Sequence, residues 1–127
     1  MKILFIISSF VLAIASKDGC KKNSQGDSIY KGRLEIKGIC MNYTIKVLEG
    51  NIDTSLIASS WTDETTGKSY SNVFKLGSPC TFPEKIQQGD EFTFTIDTTA
   101  EKGCAVCMAY YPTPQKHLSI KVQANDK

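Results

Sequence analysis

The chain is poor in the residues that most enzymes and nucleic-acid binders depend on. Its 127 residues include one histidine, His117, one arginine, Arg33, and one tryptophan, Trp61. It has no Gly-x-Ser-x-Gly elbow, no Gly-rich phosphate loop and no His-Glu-x-x-His, so the usual signatures of serine hydrolases, nucleotide enzymes and zinc peptidases are missing. Glycoside chemistry needs two carboxylates on one site. The adjacent pairs here, Asp63-Glu64 and Asp90-Glu91, would face opposite ways on a strand and read as turn and solubility residues. The loop from Asp63 to Gly67 does not have the alternating oxygen ligands of a calcium loop. The formal net charge is only +2, with no basic stripe, so charge gives no reason to expect a nucleic-acid partner. There is no internal repeat, heptad pattern or low-complexity block, and no apolar run reaches the ~20 residues of a membrane-spanning helix.

The N-terminus does carry a signal. Lys2 is followed by the apolar run Ile3 to Ile14, with Ser8 and Ser9 inside it. Ala13-Ile14-Ala15 then provides small residues before the polar Ser16-Lys17-Asp18-Gly19. This pattern predicts a cleaved secretory signal over residues 1–15, against the rival reading of a membrane anchor. Ser16 stands where a lipoprotein would place its cysteine, and Cys20 comes too late, so the mature chain is expected to be soluble. Cleavage after Ala15 leaves 127 − 15 = 112 residues, enough for one domain with a single core. Residues 16–28 are polar and aperiodic and read as a flexible tether, 29–123 as the domain, and 124–127 as a polar tail.

From Tyr30 onward the apolar residues alternate. Leu34 and Ile36 fall in one phase, and Tyr43, Ile45 and Val47 in the other. Period two is the mark of a half-buried strand. The phase flip between Gly38 and Asn42 calls for a bulge, a sharp bend or a turn, and one long bent strand is the form an OB-like barrel would use. Tyr70 to Leu76, Phe92 to Ile96, Ala105 to Tyr111 and Leu118 to Val122 read as further strands, and Pro83 to Gln88 as a helical turn or tight loop. Ile52 to Trp61 fits a helical turn or a short strand equally well. The expected fold is therefore all-β, a small OB-like barrel of about five to seven strands, with a two-sheet sandwich as the alternative.

Three strings carry a weak resemblance to known proteins: Gly38-Ile39-Cys40-Met41-Asn42-Tyr43, the run from Asn72 to Pro83, and Gly89-Asp90-Glu91-Phe92-Thr93-Phe94. They resemble a group of small, uncharacterised secreted or lipid-anchored β-domain proteins of Bacteroidota. The resemblance spans roughly Tyr30 to Val122 and implies export from a bacterial cell. It implies no activity and transfers no site residue.

Five cysteines, Cys20, Cys40, Cys80, Cys104 and Cys107, would enter an oxidising compartment on export. Cys40, Cys80, Cys104 and Cys107 lie within the domain and can form two disulfides in three ways, leaving Cys20 over. Cys104-Ala105-Val106-Cys107 is the one compact chemical motif, and its leading reading is structural. A thiol-redox pair is the second reading, although the helix that normally follows a reactive CxxC is not evident. A zinc site is the third, drawn from Cys104, Cys107, Cys40, Cys80 and His117. Buried free thiols are the fourth. Asn42-Tyr43-Thr44 is a formal glycosylation sequon, of consequence only in a eukaryotic secretory pathway.

Trp61, Tyr70, Tyr110 and Tyr111 are the binding candidates, because aromatic rings on a β surface stack on sugars or anchor proteins. The competing expectation is that Trp61 fills the core. If Tyr110 and Tyr111 are neighbours on a strand, one faces in and the other out. The expected function is an exported, non-catalytic binding or accessory module with no cofactor and an unidentified protein or carbohydrate ligand. It has no nucleic-acid partner and no membrane span after signal removal. A redox or metal protein using Cys104 and Cys107, and a secreted inhibitor presenting Pro112-Thr113-Pro114, are the alternatives.

Overall fold

The computed structural model describes residues 28–99 and 105–124. The predicted signal, nearly all of the tether, Cys20 and Cys104 lie outside the described residues. The described chain is all-β. Seven strands, β1 (Tyr30–Lys37), β2 (Tyr43–Glu49), β3 (Ala58–Thr62), β4 (Ser69–Leu76), β5 (Glu91–Ile96), β6 (His117–Leu118) and β7 (Ile120–Val122), belong to one hydrogen-bonded sheet.

The hydrogen-bonded path runs β3-β4-β2-β1-β5-β7, and every neighbouring pair along it is antiparallel. The path is open rather than closed as a barrel. β6 pairs off the path, in parallel with β4. Only Ser119 separates β6 from β7, so the C-terminal segment touches β4 with one end and β5 with the other. Buried Ser78 reinforces this link. Its hydroxyl donates to the Ile120 carbonyl and accepts from the Ile120 N–H, both at 3.0 Å.

Leu34, Ile45, Phe74, Leu76, Phe92, Phe94, Leu118 and Ile120 contribute to one buried cluster. Among the described residues no α-helix covers the sheet, so such a core calls for the sheet to curl its apolar face around itself. In β1 the even-numbered residues Leu34 and Ile36 are buried while Arg33 and Glu35 remain half-exposed, as the alternation predicts. The Phe92 ring sits between those of Phe82 and Phe94, at centroid distances of 5.4 and 6.0 Å.

Several expectations need correction. The phase flip at Gly38 is not a bend in one long strand. β1 ends at Lys37, a 3-10 turn covers Ile39–Met41, and β2 returns antiparallel along β1. Both possibilities fit the pattern, because a turn and a bend reset the phase alike. Ala105 to Tyr111 is not a strand: residues 105–110 are exposed and have no ladder partner among the described residues. Its aromatic and β-branched composition suits a strand, but a strand needs an edge to pair with. For Pro83 to Gln88, the tight loop is the reading found. Of the two readings of Ile52 to Trp61, the short strand is the one found.

One buried group is left unbalanced. The Thr44 hydroxyl, on fully buried β2 surface, has no hydrogen-bond partner among the described residues. Thr44→Val keeps the shape, removes that buried polar atom and suits a strand. The variant is expected to be more stable by about 1 kcal/mol, read from urea denaturation at unchanged m-value.

Candidate functional site

The sheet leaves an open groove of ≈ 670 Å³ on one flank. One wall is β3 with its approach, Ile57 to Thr62, and the other is the irregular segment carrying Tyr110, Pro112, Thr113, Gln115 and Lys116. Glu64 closes one end.

The irregular wall is held by chemistry rather than by a ladder. Cys107 is disulfide-bonded to Cys40, with the two Cα atoms 5.0 Å apart. Cys40 sits in the turn after β1, where it and Met41 adopt left-handed backbone angles, φ 56° and 57°. Such angles cost a non-glycine residue about 1–2 kcal/mol, and the covalent bond holds Cys40 there. The Asn42 side-chain amide donates to the Ile39 carbonyl at 2.9 Å and the Ala109 carbonyl at 3.3 Å, binding turn and wall together. The sequon's acceptor nitrogen is thus engaged in the fold. Half-buried Tyr111 lies over Gly38, where a Cβ would come within 2.6 Å of its ring. Pro112 and Pro114 are buried, so this segment forms a wall. Further along, the Lys75 N–H donates to the Lys116 carbonyl at 2.8 Å.

The opposite wall is set by the β3–β4 hairpin. Buried Asp63 accepts from the Thr65 hydroxyl at 2.7 Å and the Thr65 N–H at 2.8 Å. These bonds, the hydroxyl first, hold its carboxyl below the usual carboxylate range. Its own N–H donates to the Lys68 carbonyl at 2.9 Å, closing the hairpin.

The aromatic candidates now separate. Trp61 is half-buried and does not belong to the core cluster. It lines the groove and stacks on its cross-strand partner Tyr70 at 5.6 Å, with planes 26° apart. Tyr70 supports Trp61 from outside the groove lining, and partial burial raises its phenol pKa. Tyr110 is 78% exposed, lines the groove and donates its hydroxyl to Glu64 across the mouth. That hydrogen bond is the main reason its phenol pKa is raised, so Tyr110 stays a donor at neutral pH. Tyr111 turns inward and leaves the groove. One tyrosine faces out and the other in, as expected, although no strand imposes the alternation.

The thiol readings also change. Cys107 is bonded to Cys40 and so not to Cys104. Cys80 is disulfide-bonded as well. The zinc set of Cys104, Cys107, Cys40, Cys80 and His117 therefore loses three thiols to disulfides. Among the described residues no cluster of three or more metal-ligating side chains exists. His117 lies at an exposed position of β6. Desolvation first, then the charge of the adjacent Lys75, lowers its imidazole pKa. The disulfides are consistent with an exported location.

Sequence reasoning missed Glu64 as a partner of Tyr110, and Ser60, Thr62, Thr113 and Gln115 as groove residues. Glu64 was visible only as half of an acidic pair, and nothing local marks the other four. No protein-family model, curated protein or solved structure matches the chain.

Two predictions follow from this geometry. Cys40→Ser or Cys107→Ser, opening a cross-link over 67 residues, should cost about 3–4 kcal/mol in urea denaturation. A loss below ~1 kcal/mol would show that the wall does not depend on the bond. Asp63→Ala should cost about 1–3 kcal/mol at pH 7. Because the folded carboxyl has the lower pKa, its contribution is present above the ordinary value of 3.8 and is lost as pH falls through the folded value. The gap between variant and parent should therefore narrow between pH 5 and pH 2, about the range in which such carboxylates titrate; an unchanged gap would count against the carboxylate's role.

Proposed function

We propose that this protein is an exported, non-catalytic binding module and that its ligand site is the groove between β3 and the Cys107-tethered wall. The observation that carries the reading is the convergence of Trp61 and Tyr110, far apart in sequence, on one groove edged with hydroxyl, amide and carboxylate groups. Aromatic faces supply sequence-tolerant contact area, and the polar groups around them orient a ligand. Glu64 is the one carboxylate lining the groove, and it accepts the Tyr110 hydroxyl. The predicted N-terminal signal and the disulfides support export, to the periplasm, the cell surface or the medium.

The test uses the oxidised mature protein against arrays of glycans and of linear peptides. Any ligand found should bind Trp61→Ala and Tyr110→Ala at least about tenfold more weakly, the effect expected of aromatic anchors. Both side chains lie outside the core, so thermal unfolding should move by no more than a few degrees, roughly the shift from a 1 kcal/mol change. Ligand binding that both variants leave intact would place the site elsewhere.

A further inference from the structure

We infer that the groove takes an extended peptide segment, which adds to the sheet as one more strand along the free edge of β3. The inference rests on the groove being the ligand site and names the class of ligand.

Successive side chains on a strand point to opposite faces. A cavity lying over one face of β3 would meet alternate residues. This groove meets six in a row, Ile57 to Thr62, and so runs along the strand's edge. β3 is terminal in the sheet and pairs only with β4. The hydrogen-bonding phase of that pairing fixes which backbone groups are free. The Asp63 N–H bonds the Lys68 carbonyl, so Asp63 faces β4, and in steps of two so does Trp61, paired with Tyr70. Ser60 and Thr62 sit at the alternate positions, so their N–H and C=O groups point away from β4, on the side of the groove. No backbone bond links these groups to a described residue outside the strand ladders.

This edge also lacks the usual protection. Natural edge strands carry a charge, a proline or a bulge, or are very short. β7, at the other end of the path, has three residues and carries Lys121. β3 reads Ala58-Ser59-Ser60-Trp61-Thr62, with neither charge nor proline. The facing wall, with Pro112 and Thr113, bounds the groove on the side away from β3. From Ile57 to Thr62 the edge spans about 17 Å, room for an extended peptide of about five residues. Its backbone would bond Ser60 and Thr62, while Trp61 and Tyr110 would contact its side chains. Main-chain pairing supplies affinity in this mode and the flanking side chains supply specificity.

The experiment selects linear heptapeptides from a random library on the immobilised, oxidised mature protein. Each binder is then remade with single N-methylated amides. Strand addition predicts a two-residue period: methylation at amides facing β3 weakens binding about tenfold, and at the intervening amides about twofold or less. Ser60→Pro removes an outward N–H and no bond to β4, and should weaken the same peptides about tenfold. The methylation series tests the inference even if that variant folds poorly.

Peptide binding without the two-residue period would overturn strand addition and leave the groove a binding site. Glycan binding lost in Trp61→Ala, with no peptide bound, would overturn it in the same way. If the protein alone dimerises and Ser60→Pro abolishes the dimer, the occupant is a second copy and the inference fails. Binding of either ligand unaffected by Trp61→Ala and Tyr110→Ala would remove both the inference and the proposed function.

Discussion

A sheet that folds without helices has to cover its own apolar face, and the rest of this structure follows from that requirement. The aromatic and aliphatic residues of β1, β2, β4 and β5 share one buried cluster because the sheet curls around them. Curling brings β4 and β5 close enough for a short C-terminal segment to touch both. The core is thus completed by a few residues, Leu118 and Ile120 among them, whose backbone partners lie on two different strands.

Covering the face leaves the borders unresolved. β6 and β7 occupy one region of the border, and the segment before them passes beside β3 without pairing to it. A covalent bond, two prolines and the Asn42 amide do for this segment what a ladder does for the strands. They fix its position while leaving the β3 backbone unpaired. The groove is the space that results. Its walls belong to one border of the sheet, and the hairpin stacked by Trp61 and Tyr70 stiffens one of them.

Much of this was legible from local pattern. Period-two alternation identified β1 and β5, which bury alternate residues, and marked β2 through Tyr43, Ile45 and Val47, although Thr44 is buried as well. Trp61 and Tyr110 stood out as aromatics beside polar connections, and both line the groove. Three things were not legible, for physical reasons. The phase flip at Gly38 to Asn42 left a turn and a bend open, and the left-handed angles that the turn uses at Cys40, without glycine and beside a bond to a residue 67 positions away, have no local marker. Ala105 to Tyr111 has strand-like side chains but no edge to pair with, and edges are a property of the whole topology. The outward backbone of Ser60 and Thr62 depends on β3 being terminal, which only the strand order decides.

The way the C-terminal segment completes the sheet bears on when this protein can fold. β6 pairs with β4 across some forty residues, Lys75 with His117, and β7 then pairs with β5. Contacts this distant in sequence make folding slow, because chain entropy is lost before the core repays it. Until Leu118 and Ile120 arrive, the phenylalanine cluster lacks part of its cover. The core of such a chain gains its full cover only when the strands after Lys116 dock on β4 and β5, so its closing contacts are among the most distant in sequence.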